Sequence, residues 1–325
     1  MTKEFTVACI QCGVGNLLGF YQSRFKPLYF VDDRKHMKAG YQTIEKNFPG
    51  CVFDSDIDSF ATDKADVLLS SPSCAQLSKL GSKRKDRKYL YTLPLYEYDF
   101  VVSVEKLFHR DAEFIVVEYL KSLLEFFLVR HKGLEHKKTG EFLPFPEDYR
   151  TQIIELSAID YGVPQNRKRL FLIFSKLKYD FIFNSTNYGG PEILTVGDVL
   201  NQLSNIRSIG AVLKNDKMPN HNPERVEGFR KLKIGESYYG TQNNTRLDPS
   251  KICPVITSHL TRHVHSYEPR VLNARECASF QGFPLDFEFY GSEQTCLDLI
   301  GKTVPPPITH FIANQIKTSL EKYNV

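Results

Sequence analysis

No apolar run in this chain of 325 residues approaches the length of a membrane span, and the opening MTKEFTVACI lacks the layout of a secretory signal. Neither a membrane protein nor a secreted one is therefore expected, and the cytoplasm is the default location. The cysteines are odd in number, seven, and scattered, which argues against a disulfide framework. Cys9 and Cys12 form a C-x2-C, but no second pair follows at zinc-ribbon spacing, so they read as strand-end residues and no metal site is expected. There is no internal repeat and no low-complexity tract. The net charge of +4 is too small to demand a nucleic-acid partner by itself. Charge is clustered instead, in SKRKDRKY at 82–89 and QNRKRL at 165–170.

What is present is a succession of short apolar runs, each ending in a polar or glycine-bearing turn. Phe5–Ile10 reads as a strand, and CGVGNLLG at 12–19 as a turn entering a helix, with backbone able to approach a nucleotide-like cofactor. Leu28–Val31 is a second strand, delivering Asp32 and Asp33 at its end, where a carboxylate can hold ribose hydroxyls or cap the next helix. An acidic turn at Asp54–Ile57 precedes the run Ala65–Ser70, and Cys74 follows that strand on the loop SPSCAQLS. Phe114–Glu118 is a further buried strand with Glu118 at its C-terminal end, and Lys121–His131 has the look of the helix after it. Ile153–Ser157, the turn DYGVPQNR and Leu170–Phe174 come next, with Arg167 and Arg169 spaced to face one side. Residues 176–269 are irregular apart from a helix near 196–204. The chain closes with a helix over Ala274–Phe280 and another begun by prolines in PPPITHFIANQIKTSL. This order of elements predicts an α/β protein with a doubly wound, mostly parallel sheet.

In their order along the chain, CGVGNLLGF, SPSCAQLS, VVEYL, DYGVPQNRKRLFLI, PRVLNARECASFQGFP and IGKTVPPP resemble the motifs of the cytosine-C5 DNA methyltransferase family. The resemblance implies a Rossmann-like S-adenosylmethionine-dependent fold, with a catalytic domain over 1–175, a small target-recognition region over 176–269 and a returning segment over 270–325. It implies that Cys74 attacks C6 of a flipped cytosine and that Glu118 holds N3. Arg169 would hold the base O2, and Arg167 would brace Glu118 or the nucleophile loop. The cofactor S-adenosylmethionine would lie against Gln11, Cys12, Gly13, Gly15 and Asn16, with Asp32 or Asp33 on the ribose. Asp56 and Ile57 would bracket the adenine, and Pro72, Lys302 and Val304 would complete the pocket. Double-stranded DNA is the implied partner of a monomer in a prokaryotic or viral host cell. Ser78, Lys83, Arg84, Lys85, Arg87, Gln165, Arg246 and Arg262 are its expected contacts, with Asn243, Asn244 and His263 as further possibilities. His259, His263 and His265 are expected to fold a loop or line the DNA-facing edge rather than bind metal.

The chain departs from the family pattern where the chemistry lies. Pro72-Ser73-Cys74-Ala75 replaces Pro-Pro-Cys-Gln, Glu118-Tyr119-Leu120 replaces Glu-Asn-Val, and Gln11 and Asn16 stand in the first loop for an aromatic residue and a glycine. Gly301-Lys302-Thr303-Val304 replaces Gly-Asn-x-Val, placing a cation where the family has a neutral amide. Two alternatives to methyl transfer follow. In one, Lys302 pairs the carboxylate of carboxy-S-adenosylmethionine and the product is 5-carboxymethylcytosine. In the other, the chain is a catalytically silent DNA-binding relative. RNA is a less favoured substrate, because the cysteine-containing segment of the RNA-acting branch is not visible.

Overall fold

The computed structural model describes residues 3–32, 34–56, 64–74, 96, 98–185, 192–238, 244–257 and 263–323. The first half runs β1 (Thr6–Ile10), α1 (Val14–Gln22), β2 (Lys26–Val31), α2 (Lys35–Ala39), α3 (Tyr41–Asn47), β3 (Val52–Asp54), β4 (Val67–Ser70), α4 (Asp99–Phe108) and β5 (Phe114–Tyr119). After the short helix α5 (Leu123–Phe126) come β6 (Phe127–Arg130), β7 (Gly133–His136), β8 (Phe142–Pro144), β9 (Tyr149–Ser157) and β10 (Lys168–Lys176). Helices α6 (Val196–Ser208), α7 (Pro223–Lys231), α8 (Ala274–Phe280), α9 (Glu293–Gly301) and α10 (Pro306–Tyr323) follow.

The main sheet has seven strands in the order β3-β2-β1-β4-β5-β10-β9. The first of these, from β3 to β5, pair in parallel, whereas β10 is antiparallel to both of its neighbours. Alternation along the strands divides the core. Val7, Cys9, Val67, Leu69, Phe114, Val116, Phe171 and Ile173 point into the layer that holds α1 and α8–α10. Ala8, Ile10, Leu68, Ile115, Val117, Leu170 and Leu172 point into the layer that holds α4 and α5. Both faces are therefore covered, which is why these strands read as nearly continuous apolar runs. The chain winds outward from β1 to β3 and then returns to β4. Its direction thus switches between β1 and β4, and the C-terminal strand ends there are where open sheets of this kind place a ligand crevice.

The expected helix over Lys121–His131 is a correction. Only Leu123–Phe126 is helical, and Phe127–Arg130 pairs antiparallel with Gly133–His136, which pairs in turn with Phe142–Pro144. Phe127 is buried against Tyr98 and His136, while Leu128 and Val129 stand exposed. This aromatic and β-branched run suits a hairpin, and Gly133 gives the next strand room, since a Cβ there would lie 2.2 Å from the Leu143 carbonyl oxygen.

The C-terminal helix is built into the first layer by close backbone contact. A Cβ on Gly19 of α1 would meet Thr309 Oγ1 at 2.1 Å and the His310 amide nitrogen at 2.4 Å on α10. Gly19→Ala should therefore cost about 1–3 kcal/mol by forcing the helices apart. Urea unfolding measures this as a lower midpoint, and an unchanged midpoint would show that the crossing is looser than described.

Candidate active site

Strand register brings the working residues to one edge. Ile10 lies opposite Val31 and Ser70, and Ser70 opposite Val117, so Gln11, Asp32, Ser71 and Glu118 emerge together at the C-terminal rim. Gln11 ties three of these ends. Its N–H donates to Val31 O at 2.8 Å, its carbonyl accepts from the Ser71 N–H at 3.0 Å, and its side chain accepts from Ser103 Oγ at 2.7 Å. It does so with a positive φ of 51°, an uncommon conformation for a residue with a side chain.

Cys74 lies past this rim and is exposed, while the other cysteines are buried. Its loop is anchored by Tyr119, whose hydroxyl donates to the Ser73 carbonyl at 3.1 Å and whose ring packs on Phe100 at 4.8 Å between centroids. Glu118 faces Arg169. Phe171 is opposite Glu118 across the β5–β10 pair, and the period of two puts Arg169 on that same face, with Nε 2.8 Å from Glu118 Oε1. Cys74 is exposed as a residue, yet its thiol is crowded by protein groups. That crowding, reinforced by the Glu118 charge, raises its pKa, while Arg169 and then Arg167 act to lower it.

Among the described residues Arg167 reaches neither Glu118 nor the nucleophile loop by hydrogen bond, contrary to expectation. Its Nη atoms donate to the carbonyls of Ile256 at 3.1 Å, Gly301 at 3.4 Å and Thr303 at 2.7 Å. It is buried, and desolvation, helped by the neighbouring positive Arg169, pulls its pKa down to about 9. This residue clamps the C-terminal segment onto the turn before β10. Gln165 is also corrected as a DNA contact. Its side chain has no solvent exposure, donates to Phe280 O and Gln281 Oε1 at 3.0 Å, and accepts the Ile256 N–H at 2.9 Å. Arg246 is half-buried, and its guanidinium donates to the Leu232 carbonyl at 2.9 Å and the Ser266 carbonyl at 2.9 and 3.1 Å.

The residues expected around the cofactor gather at the switch point. Cys12, Gly13, Gly15, Asn16, Pro72 and Val304 are buried there. The glycines make room chiefly for the C-terminal segment. A Cβ on Gly15 would sit 2.1 Å from Val304 O, and the Gly15 N–H donates to Thr303 Oγ1 at 2.6 Å. Asn16 donates to Ser71 Oγ at 2.7 Å, and its Oδ1 is buried with no hydrogen-bond partner among the described residues. Asp32 is buried beneath Arg34, and burial alone would lower the Arg34 pKa, but the hydrogen bonds and charge of Asp32 raise it. Asp56 is exposed just past β3, and Lys302 is 43% exposed with Nζ 3.5 Å from Asp298.

His263 and His265 are buried; His265 Nδ1 accepts the N–H groups of Tyr267 and Glu268 at 3.1 Å and so folds its loop. No grouping of His, Cys, Asp and Glu suited to a metal ion occurs among the described residues. Asp33, Ile57, Ala75, Ser78, Lys83, Arg84, Lys85, Arg87, Asn243, His259 and Arg262 lie outside the described residues. Sequence reading missed Arg34, Tyr119 and Thr303. Tyr119 stands where Glu-Asn-Val is expected and Thr303 follows the unexpected Lys302, which was the available signal.

The mostly parallel sheet, with Asp32 following β2 and Cys74 following β4, is of the Rossmann-like class. The chain belongs to the C-5 cytosine-specific DNA methylase family, whose model matches residues 5–318. It is 29% identical to M.MJ0563P of Methanocaldococcus jannaschii over 95% of this chain and 97% of that protein. It is 25% identical to the type II methyltransferase M.NgoMIV of Neisseria gonorrhoeae over 99% of this chain and 100% of the relative. Among solved structures it is similar in fold to a prophage-encoded protein of E. coli, with a TM-score of 0.69 and 20% identity over 98% of this chain and 99% of that one. The methyltransferase EhMeth of Entamoeba histolytica gives a TM-score of 0.60 at 14% identity, over 98% of this chain and 99% of its own.

The electrostatics of Cys74 predict its reactivity. In the native protein iodoacetamide should alkylate Cys74 first. A raised pKa leaves little thiolate below it, so the rate should climb with pH through a midpoint above the ordinary thiol value. Glu118→Gln removes a charge that raises the pKa, and alkylation at pH 8 should quicken by about two- to tenfold. A slower or unchanged rate would contradict the assignment of that charge.

Proposed function

We propose that this protein methylates cytosine at C5 in double-stranded DNA with S-adenosylmethionine, through a covalent bond between Cys74 Sγ and C6 of a flipped base. The observation that carries the reading is the exposed Cys74 thiol set beside the Glu118–Arg169 pair at the ends of β4 and β5.

The crevice residues fit the cofactor. Asp32 stands where ribose hydroxyls need an acceptor, the unpartnered Asn16 Oδ1 offers another, and Pro72 and Val304 supply apolar walls. Gly13 and Gly15 would hold the amino-acid end, and Asp56 would border the adenine. When bound, S-adenosylmethionine supplies the methyl group that C5 accepts.

The chain's own residues do the rest. C5 of cytosine is a poor nucleophile until sulfur adds at C6, and it is unreachable inside a duplex, so the base must be flipped out. Glu118 holds N3 and delivers a proton there as negative charge builds on the ring. To deliver that proton Glu118 must first hold it, which removes a charge that helps keep the Cys74 thiol protonated; the transfer to N3 then leaves Glu118 as the carboxylate facing Arg169. Arg169 orients Glu118 through their ion pair and lies within reach of the base O2 in this reading. Loss of the C5 proton to a base then expels the thiolate.

A second reading rests on Lys302, whose 3.5 Å pairing with Asp298 at a half-exposed position is weak enough to exchange for another carboxylate. On that reading the transferred group is carboxymethyl. Competition between S-adenosylmethionine and its carboxylated form, repeated with Lys302→Asn, separates the two. Methyl transfer requires the native preference to be for S-adenosylmethionine.

Covalent chemistry is tested by trapping. DNA containing 5-fluorocytosine cannot lose the C5 substituent, so the native protein should form a complex that survives denaturation. Cys74→Ala should form none, while its calorimetric affinity for S-adenosylhomocysteine stays within about twofold of native. A Cys74→Ala protein that still traps DNA would overturn the assignment, and a native protein that traps none would favour the silent relative.

A further inference from the structure

The carboxylate best placed to hold a ribose is already engaged from within the chain. Asp32 closes β2 and has no solvent exposure. Arg34 folds back over it: its N–H donates to Oδ1 at 2.9 Å, and its Nε lies 2.8 Å from Oδ1 and 3.0 Å from Oδ2. Beyond Asp32, the same guanidinium donates to Cys12 O at 3.2 Å and to Ser71 O at 3.3 Å. Those carbonyls belong to the loops leaving β1 and β4. Arg34 therefore bridges the C-terminal ends of β1, β2 and β4, across the switch point where the nucleoside would lie.

A carboxylate has room for about four donors. The Arg34 N–H, Nε–H and Nη2–H take three of those places and reach both oxygens of Asp32, so the two hydroxyls of a ribose can both be accepted only after part of this fork lets go. The Arg34 side chain is 22% exposed and has a path toward solvent, whereas Asp32, buried on the strand end, has none. Arg34 is thus the partner able to move.

We infer that Arg34 is an affinity-determining residue of the cofactor site, an internal competitor that holds Asp32 in the free protein and must release it for the ribose. The inference rests on the function proposed above, from which the ribose comes. Competition of this kind reduces the fraction of molecules ready to bind, so it weakens every ligand carrying that ribose by one common factor. An influence exerted through charge on the sulfonium would instead separate S-adenosylmethionine from uncharged nucleosides. A purely structural pair would change stability and leave affinity alone.

Calorimetric titration of the whole chain with adenosine and with S-adenosylmethionine distinguishes these cases. Arg34→Gln keeps a polar group of similar reach without the charge, and it should bind both ligands about tenfold more tightly, by the same factor. Arg34→Lys keeps the charge but loses the planar fork, and it should tighten both by a smaller, again equal, factor. Should Arg34→Gln fail to fold, the lysine variant carries the test alone. Unchanged or weaker binding by the folded variants, with binding intact in the native protein, would overturn the role of Arg34 and leave the proposed function standing. Failure of the native protein and both variants to bind either ligand would overturn the function and this inference with it.

Discussion

The approach of the Thr303–Val304 backbone to the loop after β1 is the contact on which the site depends. Thr303 Oγ1 accepts the Gly15 N–H at 2.6 Å, joining groups 288 positions apart in the chain. From the other side Arg167 holds the same segment through the Gly301 and Thr303 carbonyls. A segment fixed on both sides becomes a wall of the crevice. This explains why glycine occupies position 15, where any Cβ would meet Val304 O. It also explains how a buried arginine is tolerated with its guanidinium hydrogen-bonded to backbone carbonyls: their dipoles meet its charge, with the Glu118 charge acting on it as well.

The site is a chain of ion pairs and hydrogen bonds laid along the strand ends. Tyr119 anchors the nucleophile loop through Ser73, Arg169 faces Glu118, and Arg34 bridges Asp32 to the loops of β1 and β4. Several residues in the segments that resemble the family motifs make contacts of their own. Tyr119 replaces an asparagine and supplies a longer reach to the loop. Gln11 replaces an aromatic residue and joins α4 through Ser103. Thr303 gives the first loop a hydroxyl acceptor. The Lys302 side chain, whose one contact among the described residues is to Asp298, is the least constrained of them.

The doubly wound core was legible because strands buried on both faces leave continuous apolar runs, such as VLLS at 67–70 and FIVVE at 114–118. The placement of Cys74 and Glu118 followed from those runs ending where they do. Arg167 and Gln165 misled the reading because sequence spacing says which face a side chain takes, not whether a partner from beyond position 250 covers it. Arg34 was invisible for a related reason: Asp32 looked like an open acceptor, and only folded geometry shows a cation two residues on bending back over it. The hairpin of β6 and β7 was hidden because FFLVRHKGLEH satisfies helical and extended periods about equally well.

The most direct test of the account is mass spectrometry of nucleosides from duplex DNA incubated with the protein and S-adenosylmethionine bearing an isotopically labelled methyl group. The account predicts labelled 5-methylcytosine, formed by the native protein and absent with Cys74→Ala. A native protein that leaves every cytosine unlabelled, or places the label on another base, would contradict it.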